Sequence, residues 1–358
     1  MFFSFTRRHI FLALACLTAL ALFFPTLAAA WQLNQANAHL ARAASLPADA
    51  PRRALELQRA QSVIESARAA PRLALADARL AALRGDFAAA IAALESTRAL
   101  DADFIAQFVA GAAAYQAGDS ARAATHWRAA GAFDYFLRNA YRAQSQHLWR
   151  EAERLARIAA SIAPESAAAQ YVLGDALARQ DVNTAAAFEE LERAQGLTRD
   201  PEFLATILAR QGEIFLEQGN LRAAIARFES ARAFAPLDAR PRTGYALASV
   251  RLDARAAPTA TALLQQVIAD SPWYTQAYIT LAEFAQARSD FVDAERWLTL
   301  GLEKNRNDAH LLFARGHLFA RQNQIPRARE AFIAALRGET HSDHLLEIAH
   351  ALRELEKK

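Results

Sequence analysis

A period of about 34 residues recurs along this chain from near residue 71 toward its C-terminal end. Each period contains two stretches of helical composition, with small residues where the two helices must touch and a turn between them. A fixed period of this length predicts an α-solenoid, in which each unit buries its apolar face against the next. The clearest examples are Gly212, Phe215, Gly219, Ala224, Phe228 and Ala231; Leu281, Ala282, Phe291, Ala294 and Leu298; Gly316, Phe319, Ala328, Phe332 and Ala335; and Gly85, Phe87, Ala90 and Leu94.

The composition favours a nearly all-α chain. Glycine and proline number only 12 and 11, and they fall between the helical stretches. Extended alternation of Val, Ile and Thr is absent, so we expect no sheet. A chain of 358 residues is long for one compact core, but a solenoid grows in one dimension and escapes that limit.

Charge and cysteine usage exclude several classes of function. The 41 basic and 38 acidic residues are interleaved and leave a formal net charge of +3. A nucleic-acid-binding protein concentrates Lys and Arg on one face, so we expect no nucleic-acid partner. Cys16 is the only cysteine, which excludes an intramolecular disulfide and a cysteine-based metal site.

Residues 10–31 carry no charge and follow Arg7 and Arg8. As a helix they would span about 33 Å, enough to cross a bilayer, and the preceding charges favour a cytoplasmic N-terminus. The sequence therefore predicts a transmembrane anchor with the repeats outside the cytoplasm, in a bacterial cell membrane. The alternative is a signal peptide cleaved after Ala30, since Pro25 and the alanines that follow suit such a site; the protein would then be periplasmic or secreted.

These patterns divide the chain into segments. Residues 1–9 form a cytoplasmic N-terminus ahead of the membrane segment, and residues 32–70 a helical linker or N-terminal capping hairpin. About eight repeats follow over residues 71–338. Residues 339–358 close the array with an amphipathic capping helix, whose polar outer face suits an open-ended stack.

The repeated residues resemble the tetratricopeptide repeat. Leu-Gly or Leu-Ala precedes an aromatic residue in the first helix, a Gly-Asp or Gly-Asn turn follows, and the second helix carries alanine, a large apolar residue and alanine. Residues 205–238 match this pattern best. The resemblance implies a right-handed superhelix of helical hairpins whose first helices line a concave face, where such proteins bind peptides or extended segments of protein partners.

In that register a set of aromatic and charged residues faces the concave groove. Aromatic anchors with a few charges suit the binding of a peptide. The predicted binding residues are Tyr141, Tyr171, Asp175, Arg179, Glu213, Glu217, Tyr245, Glu283, Phe313, His317 and Arg321, together with Phe108, Tyr115 and Ser249.

Residues that would indicate catalysis are not found. The chain lacks a glycine-rich phosphate loop, an HExxH motif and a G-x-S-x-G motif. His341, His344, Glu347 and His350 share part of one helix face, but no further ligand cluster supports a metal site. We therefore expect no catalytic residue, cofactor or metal.

The sequence thus favours a membrane-anchored, non-catalytic scaffold that binds a protein partner in a bacterial envelope assembly, or in a secretion or polysaccharide pathway. The alternative is a soluble binding protein in the periplasm or outside the cell.

Overall fold

The computed structural model describes residue 28 and residues 30–67, 73–95, 104–180, 184–339 and 342–356. Within these ranges all regular structure is helical and no strand occurs, so the all-α prediction is confirmed for this part of the chain. The helices are α1 (residues 30–44), α2 (Pro51–Ser66), α3 (Leu73–Arg84), α4 (Phe87–Glu95), α5 (Phe104–Gln116), α6 (Ser120–Ala129), α7 (Phe133–Ser145), α8 (Trp149–Ile162), α9 (Ala167–Ala178), α10 (Thr184–Leu197), α11 (Pro201–Glu217), α12 (Leu221–Phe234), α13 (Ala239–Leu252), α14 (Ala257–Asp270), α15 (Thr275–Ala287), α16 (Phe291–Lys304), α17 (Ala309–Arg321), α18 (Ile325–Gly338) and α19 (Ser342–Leu355), with a 3₁₀ turn at Ala254–Ala256.

Tight turns join the two helices of a hairpin. Gly219 ends α11 with φ +74°, a left-handed conformation that glycine adopts without steric cost. The next residue, Asn220, caps α12 by accepting a hydrogen bond from the backbone N–H of Ala223. Equivalent turns place His147, Ser289 and Asn323 at φ between 55° and 59°, so the same geometry forms where glycine is missing.

Glycine is required where aromatic rings press on a helix. A Cβ added at Gly212 in α11 would lie 2.8 Å from the ring of Phe228, and one at Gly244 in α13 would lie 2.3 Å from the same ring. Phe228 of α12 is fully buried between these two first helices. The absence of two side chains therefore lets one ring fill the space between consecutive hairpins.

The chain divides into two compact units. Unit 1 comprises the described residues up to 135 together with residues 161–163, and unit 2 comprises residues 136–160 and the described residues from 164 onward. In unit 1, Leu40, Leu57 and Leu80 form part of a core that joins α1, α2 and α3. In unit 2, α19 packs Ile348 and Leu355 against Phe319 and Phe332, which covers the last hairpin.

The predicted membrane segment, residues 10–31, lies almost entirely outside the described residues. Among the helices that the structure describes, none has both the length and the low polarity needed to cross a bilayer.

Candidate functional site

Unit 2 contains two adjoining grooves that share Trp149, Arg179 and Gln276. We call them the central groove, with a volume of about 670 Å³, and the distal groove, with a volume of about 730 Å³. The central groove is lined by Gln144, Trp149, Tyr171, Asp175, Arg179, Glu213, Leu216, Glu217, Phe228, Arg240, Thr243, Gly244, Leu247, Tyr274 and Gln276. The distal groove is lined by His147, Trp149, Arg179, Gln276, Ile279, Glu283, Gln286, His310, Phe313, Ala314, His317, Arg321, His344 and Glu347.

The spacing of these residues along the first helices explains why they line one surface. Tyr171, Asp175 and Arg179 recur every four residues along α9 and at its C-terminal end, so they lie on one face of the helix. Glu213 and Glu217 have the same spacing in α11. Because each hairpin presents its first helix in the same way, these faces form a common wall.

A buried ion network joins three of the first helices. The guanidinium of Arg210 in α11 is inaccessible to solvent, and its Nε lies 2.6 Å from Oδ1 of Asp175 in α9. Its Nη1 lies 3.2 Å from Oε2 of Glu213. Glu213 in turn accepts two hydrogen bonds from Arg240 of α13, at 2.5 and 2.7 Å. Two arginines and two carboxylates therefore join α9, α11 and α13 at the central groove.

The network sets the ionisation of the central groove. Burial alone would raise the pKa of Glu213, but the hydrogen bonds and charge of Arg240, with the charge of Arg210, outweigh burial and hold it below its usual value. Burial also disfavours the charged form of Arg210, which would lower its pKa. The nearby carboxylates, Asp175 first, outweigh burial and raise the pKa of Arg210 above its usual value. The floor of the groove is therefore ionised at neutral pH, with charges of both signs already paired.

Two tyrosines beside this network stay neutral. Burial raises the pKa of Tyr274 to about 12, and burial also raises the pKa of Tyr171. Their hydroxyl groups can therefore donate hydrogen bonds at neutral pH, for example to a carbonyl oxygen of an extended peptide.

Trp149 stands where the two grooves meet. Its ring stacks on His147 with centroids 5.0 Å apart, and the guanidinium carbon of Arg179 lies 5.7 Å from the ring centroid. The side chain is half-buried, so part of the ring faces the grooves. A partly exposed tryptophan beside an arginine has the composition of an interface anchor.

The structure brings most of the sequence-predicted residues together. Of these, Tyr171, Asp175, Arg179, Glu213 and Glu217 line the central groove, and Arg179, Glu283, Phe313, His317 and Arg321 line the distal groove.

Five predicted residues lie elsewhere. Tyr245 follows Gly244 by one position, a rotation of about 100° around α13, and its ring packs against the guanidinium of Arg232, whose carbon lies 4.7 Å from the ring centroid. Tyr141 is exposed on α7, outside both sets of lining residues. Phe108 and Tyr115 belong to unit 1, where both rings pack on that of Trp127. Ser249, near the end of α13, lines neither groove.

Sequence reasoning missed Trp149, Arg240 and Tyr274. Trp149 begins α8, the second helix of the repeat whose sequence signature is weakest. The repeat pattern therefore does not predict that Trp149 faces a groove. Arg240 lies in the first turn of α13, which begins at Ala239, ahead of the position where the repeat pattern starts. Tyr274 is the N-cap residue of α15 and precedes the helix from which groove positions were counted.

One group of side chains has the composition of a metal site. His310, Glu339 and His344 place one ligand atom each within 4.8 Å of one another. The sequence predicted no metal here, because only His344 of this group belongs to the helix on which ligands were sought, together with Glu347 and His350; His341 lies outside the described residues.

Comparison with known proteins gives one family match. The family model described as tetratricopeptide repeat matches residues 251–318, which run from the end of α13 into α17. The resemblance to the tetratricopeptide repeat read from the sequence is therefore supported over these residues. No curated protein sequence matches the chain.

Solved structures share the fold of these repeats at low sequence identity. A tetratricopeptide repeat protein from Parabacteroides merdae is 14% identical with a TM-score of 0.50, over 79% of this chain and 97% of its own. Human IFIT1, in a dimer with PPP-AAAA, is 14% identical with a TM-score of 0.50, over 85% and 76%. PilF from Pseudomonas aeruginosa is 18% identical with a TM-score of 0.43, over 62% and 97%. The two structures with a TM-score of 0.50 share a helical-repeat fold with this chain and show nothing about its ligands.

Proposed function

We propose that this protein is a non-catalytic scaffold that binds an extended segment of a protein partner along the central and distal grooves. Tetratricopeptide repeat proteins mediate protein–protein interactions, and the grooves are formed by the helices that such proteins use. The observation that carries the proposal is one surface, across α9, α11, α13, α15 and α17, that combines aromatic rings with charges of both signs.

The shared wall makes the two grooves suitable for one continuous ligand. Trp149 and Arg179 belong to both, so a peptide that lies in one groove can continue into the other without leaving the surface. An extended peptide carries unpaired N–H and C=O groups, and the hydroxyl of Tyr274 and the amide of Gln276 are placed to pair with them.

The charges favour specificity over strong general attraction. Asp175, Arg210, Glu213 and Arg240 neutralise one another, so the floor of the central groove has no net charge to draw in a polyanion or a polycation. Side chains of a partner must therefore match individual groups, such as Glu283 and Arg321 in the distal groove, to bind well.

A cross-linked affinity purification from native cells tests this function. The full chain is compared with a Trp149→Ala variant and with Trp273→Ala as the matched control. Trp273 is 72% exposed and lines neither groove. We expect a protein partner that is lost with Trp149→Ala and retained with Trp273→Ala, while both variants keep the wild-type circular dichroism. Equal retention by both variants would place the interface on another face.

We also propose that residues 10–31 anchor the protein in a bacterial cell membrane, with the repeats outside the cytoplasm and the partner in an envelope assembly. The support is the uncharged length of this segment and the arginines that precede it. Sequencing the N-terminus of the mature protein decides between this and the cleaved form: Met1 indicates an anchor, and Trp31 indicates a periplasmic or secreted protein.

A further inference from the structure

Three side chains that are far apart in sequence meet at the C-terminal end of unit 2. His310 lies in the first turn of α17, Glu339 is the C-cap residue of α18, and His344 lies in the first turn of α19. Their ligand atoms all lie within 4.8 Å of one another. Two imidazoles and one carboxylate are a donor set that suits zinc and other divalent transition metals.

Two of the three side chains are already held in place. The side chains of Glu339 and His344 are 4% and 9% exposed, and Oε2 of Glu339 is hydrogen bonded to Nδ1 of His344. The ring of Phe313 meets the His344 ring edge to face, with centroids 5.0 Å apart. Contact with the carboxylate and with the Phe313 ring fixes the orientation of the His344 imidazole.

The third side chain has room to move. His310 is exposed, and its ring stacks on His344 with centroids 4.3 Å apart and planes inclined by 23°. Ligand atoms around a tetrahedral zinc ion, each about 2.0–2.2 Å from the metal, lie roughly 3.4 Å apart. The longest of the three separations therefore has to shorten by up to about 1.4 Å, which a rotamer adjustment of the exposed His310 side chain can supply.

We propose that His310, Glu339 and His344 form a binding site for a divalent transition-metal ion of the zinc class. The ion joins the ends of α17, α18 and α19, and so fastens the capping helix to the last hairpin. Since His310 and His344 also line the distal groove, the remaining coordination position faces that groove and takes water. The proposal does not rest on partner binding, because zinc binding is measured on the chain alone, and either proposal can fail without the other.

Calorimetric titration of the full chain with zinc chloride tests the site, after removal of any affinity tag and treatment with a chelator. We expect one zinc ion per chain, and at least tenfold weaker binding for His310→Ala and for His344→Ala. His350→Ala is the matched control, because its imidazole is on the same helix, is 68% exposed and lies outside the group. This variant should bind zinc as the wild type does.

Thermal unfolding gives a second readout that does not depend on heats of binding. Zinc should raise the Tm of the wild type and of His350→Ala, because a ligand that binds only the folded state stabilises it. It should raise the Tm of His310→Ala by clearly less at the same zinc concentration; that side chain is exposed, so the variant is expected to fold. Absence of stoichiometric binding, or equal weakening by His310→Ala and His350→Ala, would overturn the proposal.

Discussion

At the scale of single residues, Arg210 has the most demanding environment in the central groove. Its side chain is completely inaccessible, and it neutralises Asp175, whose side chain is 7% exposed, as well as Glu213. A buried charge is tolerated only while its partners remain. Arg210 is therefore a structural residue of the groove, although it lines neither cavity.

Replacement of this arginine by an apolar residue of similar length should be strongly destabilising. In Arg210→Met the carboxylate of Asp175 stays buried with only the more distant Arg179, whose Nε lies 3.7 Å away, as a cation, so we expect a loss of about 3 kcal/mol in the free energy of unfolding. Urea unfolding followed by circular dichroism measures the change. The exposed Arg222→Ala in α12 serves as the control and should stay within about 0.5 kcal/mol. A similar small effect for Arg210→Met would show that the network contributes little.

The lowered pKa of Glu213 predicts how the stability of the protein depends on pH. Its pKa is below the ordinary 4.5 in the folded state, so the stabilisation it gives is complete above pH 4.5 and is lost as pH falls further. We expect the Tm of the wild type to fall below pH 4.5, and the fall to be shallower in Glu213→Gln, which has no carboxylate to protonate. Thermal scans between pH 7 and pH 3 measure both slopes. Identical slopes for the wild type and Glu213→Gln would contradict the lowered pKa of Glu213 in the folded state.

At the scale of helices, contact between hairpins depends on where glycine is placed. Gly212→Ala would put a Cβ 2.8 Å from the fully buried Phe228 ring, so we expect overpacking to cost about 1–3 kcal/mol. Gly196→Ala in α10 is the control, because Gly196 is also helical but nothing lies within 4 Å of its added Cβ.

The control should change stability in the opposite direction. Alanine favours helix over glycine by roughly 0.5–1 kcal/mol, so Gly196→Ala is expected to stabilise the protein slightly. Chemical denaturation of both variants gives the comparison. Equal effects of the two substitutions would mean that helix propensity, and not ring packing, governs the first site.

The same scale shows what the sequence could and could not predict. Paired helices follow from the period, since Gly118-Asp119 and Gly219-Asn220 mark turns by their own chemistry. Which side chains face the grooves depends on the rotation of each helix about its axis. An error of one residue in the repeat register predicts Tyr245 at the groove, where the structure has Gly244. The cluster of His310, Glu339 and His344 could not be predicted at all, because it joins three elements and has no local pattern.

At the scale of the whole molecule, the interleaving of charge decides which partners are compatible. With 41 basic and 38 acidic residues, the chain carries a net charge of only +3. Binding to nucleic acid draws most of its affinity from clustered cations that displace counterions from phosphates. The full chain should therefore show no binding to a 20-nucleotide RNA or to duplex DNA at physiological salt.

Fluorescence anisotropy of a labelled oligonucleotide tests this expectation, with titrations at about 50 and 200 mM salt. Weak binding at low salt that disappears at higher salt would agree with general attraction to the excess of positive charge. Saturable binding that persists at the higher salt would contradict the prediction, and would indicate a nucleic-acid ligand for the grooves.

The ion network of unit 2 has a mechanical consequence. In a stack of hairpins, each unit holds mainly to its neighbours, and a molecule pulled by its two ends is expected to extend one hairpin at a time. Asp175, Arg210, Glu213 and Arg240 tie α9, α11 and α13 together at the floor of the central groove. The three hairpins that contain these helices should resist tension as one block and lengthen in a single step. The central groove would therefore keep its shape under load until all three hairpins unfold together.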